Sequence, residues 1–228
     1  MTFSAIRKKV IGDGKALSLN KRFLLIVLVC CIQLIYIPTS MRTTGGIEPK
    51  LPIDIFPIWP AWVLPYVLCY PLWLLSSIWT ILKMEDRLFR ALVAACFLIF
   101  AIANSMFIFF PTYVKQATLQ GNDIFISLLR IIHENWGRYS ALPSGHVYIT
   151  TLLVLFFSRW YPRPKFLWIL ILIVISLSTL FTGQHYILDV IGGYVLALAG
   201  YCFGLWWAGL LPTQNRPAKT QLSLPPPS

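Results

Sequence analysis

The chain has 228 residues, 57% hydrophobic and only 12% charged, which excludes an ordinary soluble domain and allows one membrane-embedded unit. Its formal net charge of +11 is spread over short clusters between apolar runs. That layout excludes a continuous basic surface, so no nucleic acid partner is expected.

Six uncharged runs are long enough to cross a bilayer as helices, at roughly 19 residues each. The predicted fold is all-α: a polytopic membrane protein built as a six-transmembrane-helix bundle. Residues 1–21 form a basic cytoplasmic arm, 22–210 the membrane domain and 211–228 a disordered cytoplasmic tail ending in Pro225-Pro226-Pro227-Ser228.

The first run, Phe23 to Met41, is too long for a signal-peptide core and closes without a small-residue cleavage site, so it reads as a retained span. Arg42 to Pro57 follows as a loop broken by Gly45-Gly46, Pro49 and Pro52. The second run lies within Ile55 to Leu82. Trp59, Trp62, Tyr66, Tyr70 and Trp73 give it an aromatic upper end suited to a membrane interface, and Pro65 and Pro71 predict kinks.

After the tight turn Lys83 to Arg87 comes the third run, Ala91 to Val114, in which Asn104 is expected to hydrogen-bond between helices. The segment Pro111 to Leu142 is the longest loop. Within it Ile124, Phe125, Leu128, Leu129, Ile131 and Ile132 recur at near-helical spacing, predicting a short helix in the headgroup plane that Trp136-Gly137 ends. Its His133, among Arg130 and Glu134, is read as part of a solvated face. Three further runs cover Ala141 to Ser158, Phe166 to Gln184 and Val190 to Trp207.

Charge fixes an expected orientation. Fourteen basic residues fall in the N-terminal arm, the Lys83–Arg90 and Arg159–Lys165 loops and the tail. Only Arg42, Lys50, Lys115, Arg130 and Arg138 lie in the other segments. This positive-inside pattern puts both termini in the cytoplasm, and membrane lipids are the expected surroundings. The five cysteines sit in apolar runs without metal-ligand spacing and are read as packing residues. Nothing specifies an oligomer.

Chemistry concentrates at two places. Pro143-Ser144-Gly145-His146 opens the fourth run, with Pro143 suited to a first helical turn and free backbone N–H groups that attract an anion. His185 and Asp189 are four apart, so on a helix they share a face, and the carboxylate can fix the imidazole's tautomer. Both histidines fall on the extracytoplasmic side, where ionisable groups beside a span are functional suspects. Ser178 and Thr182 are expected to bond within helices.

These residues carry a resemblance. Pro143-Ser144-Gly145-His146, followed by the run Ser178 to Asp189 and then Val190-Ile191-Gly192-Gly193, resembles the type 2 phosphatidic acid phosphatase (PAP2) superfamily. The resemblance implies a lipid phosphate substrate, a phosphomonoester or diphosphate hydrolysed through a phosphohistidine on His185. Asp189 would hold its ring, and His146 would protonate the leaving oxygen. Ser144 and the Gly145 backbone would grip the phosphate. No metal and no cofactor is implied.

The family's first motif, a lysine, six intervening residues and then Arg-Pro, is missing. Lys115 stands near its place, and Arg138 or Arg130 is expected to supply charge from the loop. Thr179 stands where the third motif has arginine. These departures resemble the branch of inositol-phosphorylceramide and sphingomyelin synthases, in which a lipid hydroxyl replaces water. Lipid phosphotransferase is therefore the alternative reading. A non-enzymatic or transport protein on a degenerate frame of the same kind is the second.

Overall fold

The computed structural model describes residues 16–135 and 138–211. Among them it is all-helical, with isolated β-bridges Ile47–Thr112 and Tyr113–Tyr139 and no strand.

Helix α1 (Leu19–Gln33) passes through a turn into α2 (Tyr36–Ser40). Pro38 explains the break, because it has no N–H to give the carbonyl of Leu34. A 3-10 turn, Pro60–Trp62, with proline at its start leads into α3 (Val63–Lys83). That helix continues through Pro71. Helix α4 (Asp86–Phe109) follows a two-residue connection, with Asp86 in the first turn where the helix dipole favours an anion. Arg22 of α1 pairs with Asp86 and donates to the carbonyl oxygens of Thr80 (3.3 Å) and Ile81 (3.1 Å). These carbonyls belong to the last turn of α3, where helical donors run out; Thr80 still receives the Met84 N–H at 3.2 Å, and the guanidinium adds to it. One guanidinium thus knots three helices at this end.

Helix α5 (Ile124–Asn135) is the short loop helix expected from its periodicity; Trp136 and Gly137, read as its end, lie outside the described residues. Helix α6 (Gly145–Trp160) and α7 (Lys165–Phe181) form a hairpin turned by Pro162 and Pro164, and α8 (Ile187–Trp207) closes the fold.

Among the described residues four segments are long and apolar enough to cross a membrane: Leu19–Ser40, Pro60–Lys83, Asp86–Phe109 and Ile187–Trp207. Helices α6 and α7, at 16 and 17 residues, are shorter than that measure, so the fourth and fifth predicted runs are not matched at full length. The basic arm up to Lys15 and the tail from Pro212 lie outside the described residues.

The tightest packing joins α4, α6 and α8. Gly200 and Gly204 of α8 lie directly against α4, where a β-carbon would strike Ile99 and the Ala91 carbonyl. Small residues allow backbones this close, and dispersion replaces the missing side chains. Phe89, Ile99, Phe107, Tyr148 and Phe156 fill the core around that contact, all essentially buried. The expected interhelical role of Asn104 is realised by a bond from its Nδ2 to the Ile32 carbonyl at 2.9 Å. Ser178 and Thr182 bond to carbonyls one turn back, at 2.6 Å each. The cysteines depart from expectation: Cys69 is buried, but Cys30, Cys31 and Cys202 are exposed.

Between α3 and α4 the helices stand apart. The gap is a cavity of about 380 Å³, walled by α3 (Tyr70, Trp73, Ser77, Thr80), α4, α1 and α6.

Candidate functional site

Two chain reversals meet at one end of this cavity. On the first, Ser144 is the N-cap of α6, and helical geometry begins at Gly145. Pro143 is therefore outside the helix, preceded by a cis peptide bond, and does not occupy the first turn as its type suggests. The reason lies in the next residues: Ser144 is extended, a conformation that suits an N-cap. Its hydroxyl makes no capping bond and is buried without a partner.

On the second, His185 lies just ahead of α8 and Tyr186 is the N-cap. The expected shared helix face is thus replaced by a capping box. Asp189, at the third helical position, reaches back to accept the Tyr186 N–H at 2.9 Å. The same carboxylate oxygen, Oδ2, faces His185 Nδ1 at 3.4 Å. Asp189 is completely buried, and its Oδ1 has no partner among the described residues. The His185 N–H donates to the Thr179 carbonyl at 3.1 Å, fixing the hairpin tip.

The two reversals are tied to each other. The Ser144 N–H donates to the Asp189 carbonyl at 2.9 Å. Gly193 makes the approach possible: a β-carbon there would lie 2.9 Å from Val147 Cβ and 3.1 Å from the Ser144 carbonyl. The imidazoles of His146 and His185 consequently face one space, with ring centroids 6.3 Å apart. His146 Nε2 and Gln184 Nε2 are also buried without partners. Unsatisfied buried polar atoms are rare in folded proteins, and four of them within two short motifs mark a polar cradle.

The sequence reading missed the wall around His146. Tyr66 stacks on its ring (centroids 4.1 Å), Tyr70 meets it edge-on and Trp73 lies tilted over it, both at 5.4 Å. Trp73 is itself held by a bond from its indole N–H to Thr150 Oγ1 at 3.1 Å. These residues read as an interfacial belt, but their spacing of four and then three puts them on one helix face, which was the available signal.

A second miss is the pair of acids on the first loop. Asp54 Oδ1 accepts the Ile187 N–H at 2.8 Å, and its Oδ2 accepts the Leu51 N–H at 2.7 Å. Glu48 accepts a bond from the Tyr186 hydroxyl, which in turn accepts the Lys115 N–H at 3.3 Å. Burial and the Glu48 carboxylate push the Tyr186 phenol above its usual range. Loop 42–57 therefore braces the turn that carries His185 and Asp189.

The remaining predicted residues sit elsewhere. Gly145, His146 and His185 line the cavity between α3 and α4; Lys115 and Arg138 do not. Lys115 is exposed and reaches this region through its backbone alone. Arg138 lines a separate cavity together with Arg42 and Arg130. His133 also differs from its reading as a solvated residue. It is half-buried, and its ring N–H donates to the Thr182 carbonyl at 3.1 Å. Among the described residues no cluster of histidine, cysteine and acidic side chains suits a metal ion.

No curated protein matches the chain. A family model described as the PAP2 superfamily matches residues 57–203, a stretch that contains both histidine motifs, the aromatic wall and the cavity helices α3, α4 and α6. With that match covering well over half its length, the chain belongs to the PAP2 superfamily.

Proposed function

We propose that this protein is an integral-membrane lipid-phosphate phosphatase, and the observation that carries the reading is the His146–His185 pair at one end of an apolar cavity. Members of the superfamily are generally phosphatases. The cavity supplies what an amphiphilic substrate needs: Tyr70 to Thr80 spans about 15 Å of helix at 1.5 Å per residue. An apolar tail would lie along α3 with its phosphate between the two imidazoles.

In this reading His185 Nε2 attacks phosphorus while Asp189 holds the Nδ1 proton. The bond from phosphorus to the lipid oxygen breaks, and His146 gives that oxygen its proton, releasing the alcohol. Water then attacks the phosphohistidine, His146 takes its proton, the P–N bond breaks and inorganic phosphate leaves. Ser144 and the Gly145 N–H at the start of α6 hold phosphate oxygens, where the helix dipole favours negative charge. The stacked Tyr66 ring stabilises the His146 imidazolium formed in the second step.

The same proposal extends to the membrane. Helices α6 and α7 would cross it with their flanking turns as the fourth and fifth of six spans, because their hairpin packs on α8, itself long enough to span. The basic clusters would place both termini in the cytoplasm and the site outside. A cysteine introduced as Lys115→Cys should react with a membrane-impermeant maleimide added to intact cells, and Arg163→Cys should not.

The direct test is phosphate release from a lipid-phosphate panel by purified protein in detergent without an alcohol acceptor. Hydrolysis lost in His185→Ala supports the reading. Product formed only when an alcohol acceptor is added would turn it into a phosphotransferase. No turnover under either condition would leave the transport or scaffold alternative.

A further inference from the structure

A groove of about 440 Å³ runs between α1, α4 and α8, away from the histidine site. Its floor is one stripe of α4. Arg90, Ala94 and Phe97 lie four and then three residues apart, which puts them on one helix face. Leu25 of α1 lines one side, and Phe203 and Trp207 of α8, again four apart, line the other. Ala94 gives the floor its depth, because a methyl stands there between two long side chains. The three segments that build the groove, Leu19–Ser40, Asp86–Phe109 and Ile187–Trp207, are each long and apolar enough to cross a membrane. Lipid is therefore the solvent on this face, and an acyl chain fills apolar space there without cost.

One end of the groove is charged. Arg90, one turn inside α4, is the single ionisable residue of the lining among the described residues. The nearby ends of α1, α3 and α4 add Lys21, Arg22, Lys83 and Arg87 against Glu85 and Asp86. Asp86 is already engaged by the Arg22 guanidinium and by the Leu17 N–H at 2.8 Å. A guanidinium has five N–H donors, so the contacts that Arg90 keeps within the protein leave others for phosphate oxygens. A cation at the rim of a membrane span calls for a counter-charge, and basic pockets between spanning helices suit anionic headgroups. The Trp207 indole at the same end suits the level where headgroups meet chains.

This end lies far from the imidazoles, since the 21 residues of α8 extend over about 30 Å from Ile187 to Trp207. Helix α1 connects the two regions. Leu25 faces the groove, whereas Val29 and Gln33 of the same helix line the histidine cavity. Val29 is the one wholly buried residue of α1, so this helix has open space on both flanks.

We infer that the Arg90 groove is a binding site for an anionic phospholipid, whose phosphate meets Arg90 while its acyl chain lies over Ala94 and Phe97. The bound lipid braces α1 against α4 and α8. The inference goes beyond the proposed function and stands whether or not the histidines hydrolyse a lipid phosphate.

The experiment measures the thermal midpoint of the full chain in a neutral detergent. The probes are dioleoyl phosphatidylglycerol, dioleoyl phosphatidylcholine and glycerol 3-phosphate. Phosphatidylglycerol is a phosphodiester and offers the histidine site no monoester, so turnover does not enter. At saturation it should raise the midpoint by about 5 °C more than phosphatidylcholine does, the scale of a specific ligand on a chain of this size. Glycerol 3-phosphate, which has the charge without the chain, should leave the midpoint unchanged. Arg90→Gln should remove the preference for the anionic lipid. Ala94→Phe, which fills the groove and keeps the guanidinium, should remove it as well. Arg163→Gln, a basic residue outside the groove, should preserve it. Helical circular dichroism and monodisperse elution confirm that each variant is folded.

Equal shifts from the two phospholipids on wild-type protein overturn the inference. So does a preference that survives either groove substitution. An equal shift from glycerol 3-phosphate would make this a site for a free anion, and loss of the preference in Arg163→Gln would reduce it to net charge. Either result also overturns the inference. None of these outcomes bears on the phosphatase reading, which rests on phosphate release alone.

Discussion

The Ser144 N–H donates to the carbonyl oxygen of Asp189 at 2.9 Å, joining two residues that lie 45 positions apart. This bond sets the distance between the hairpins, and through it the 6.3 Å between the histidine rings. Gly193 is the residue that leaves room for it.

Gly193→Ala should therefore separate the two motifs. The added carbon would press on Val147 and the Ser144 carbonyl, at a cost of about 1–3 kcal/mol for overpacking. Phosphate release should fall more than ~10-fold, since misplacing reacting groups by ~1 Å has effects of ~100-fold. The check is turnover alongside the thermal midpoint in detergent.

Asp54 should act on the reaction without touching it. Asp54→Ala strips two half-buried N–H groups, of Leu51 and Ile187, of a charged acceptor, and such bonds contribute up to about 3 kcal/mol each. The turn bearing His185 should loosen, lowering kcat with little change in KM. Asp54→Asn keeps an acceptor oxygen for Ile187 and should recover most of the rate. Equal losses in both variants would point to a role for the charge itself.

The cavity should measure the tail. Each methylene buried contributes about 0.8 kcal/mol, roughly 4-fold in affinity, until the space is full. KM for a series of alkyl phosphates should fall with chain length and then level. Ser77→Trp places an indole in the cavity wall and should bring the plateau to shorter chains. An unchanged length dependence would show that the tail lies elsewhere.

Acid should destabilise the loop helix through His133. Burial first, and then the nearby Arg138 guanidinium, hold its pKa below 6.5, against the bond to the Thr182 carbonyl. The unfolded chain then takes up a proton that the folded chain refuses. Stability is complete above the unfolded value and declines as pH falls from about 6.5 toward the folded value. The slope cannot exceed the ~1.4 kcal/mol per pH unit of a single proton. Thermal midpoints measured from neutral to mildly acid pH should show the decline, and His133→Gln should flatten it.

Much of this was written in the sequence, for reasons that can be named. His146 and His185 were legible because a chain with few ionisable groups exposes those it keeps. The loop helix was legible from its period. The bond between Asp189 and His185 was foreseen, but its geometry was not. Two residues four apart touch on a helix and also across an N-cap, and only the backbone distinguishes the cases. The acids Glu48 and Asp54 gave no signal of their part in the site, because the partners that tie them to it, Tyr186 and Ile187, lie more than 130 residues away. Lys115 and Arg138 were chosen by loop position, which fixes a side of the membrane and not a distance. The aromatic wall was hidden by a second, equally valid use of tryptophan and tyrosine at a bilayer surface.

The glycine contact between α4 and α8 has a consequence for how the molecule can yield. Gly200 and Gly204 lock backbone against backbone, and α6 leans on the same pair, so the scaffold beneath both imidazoles has almost no slack. Helices α1 and α3 carry few wholly buried side chains and face that scaffold across the cavity. A tail of larger girth in the cavity would push these two staves outward, while the two imidazoles keep their separation.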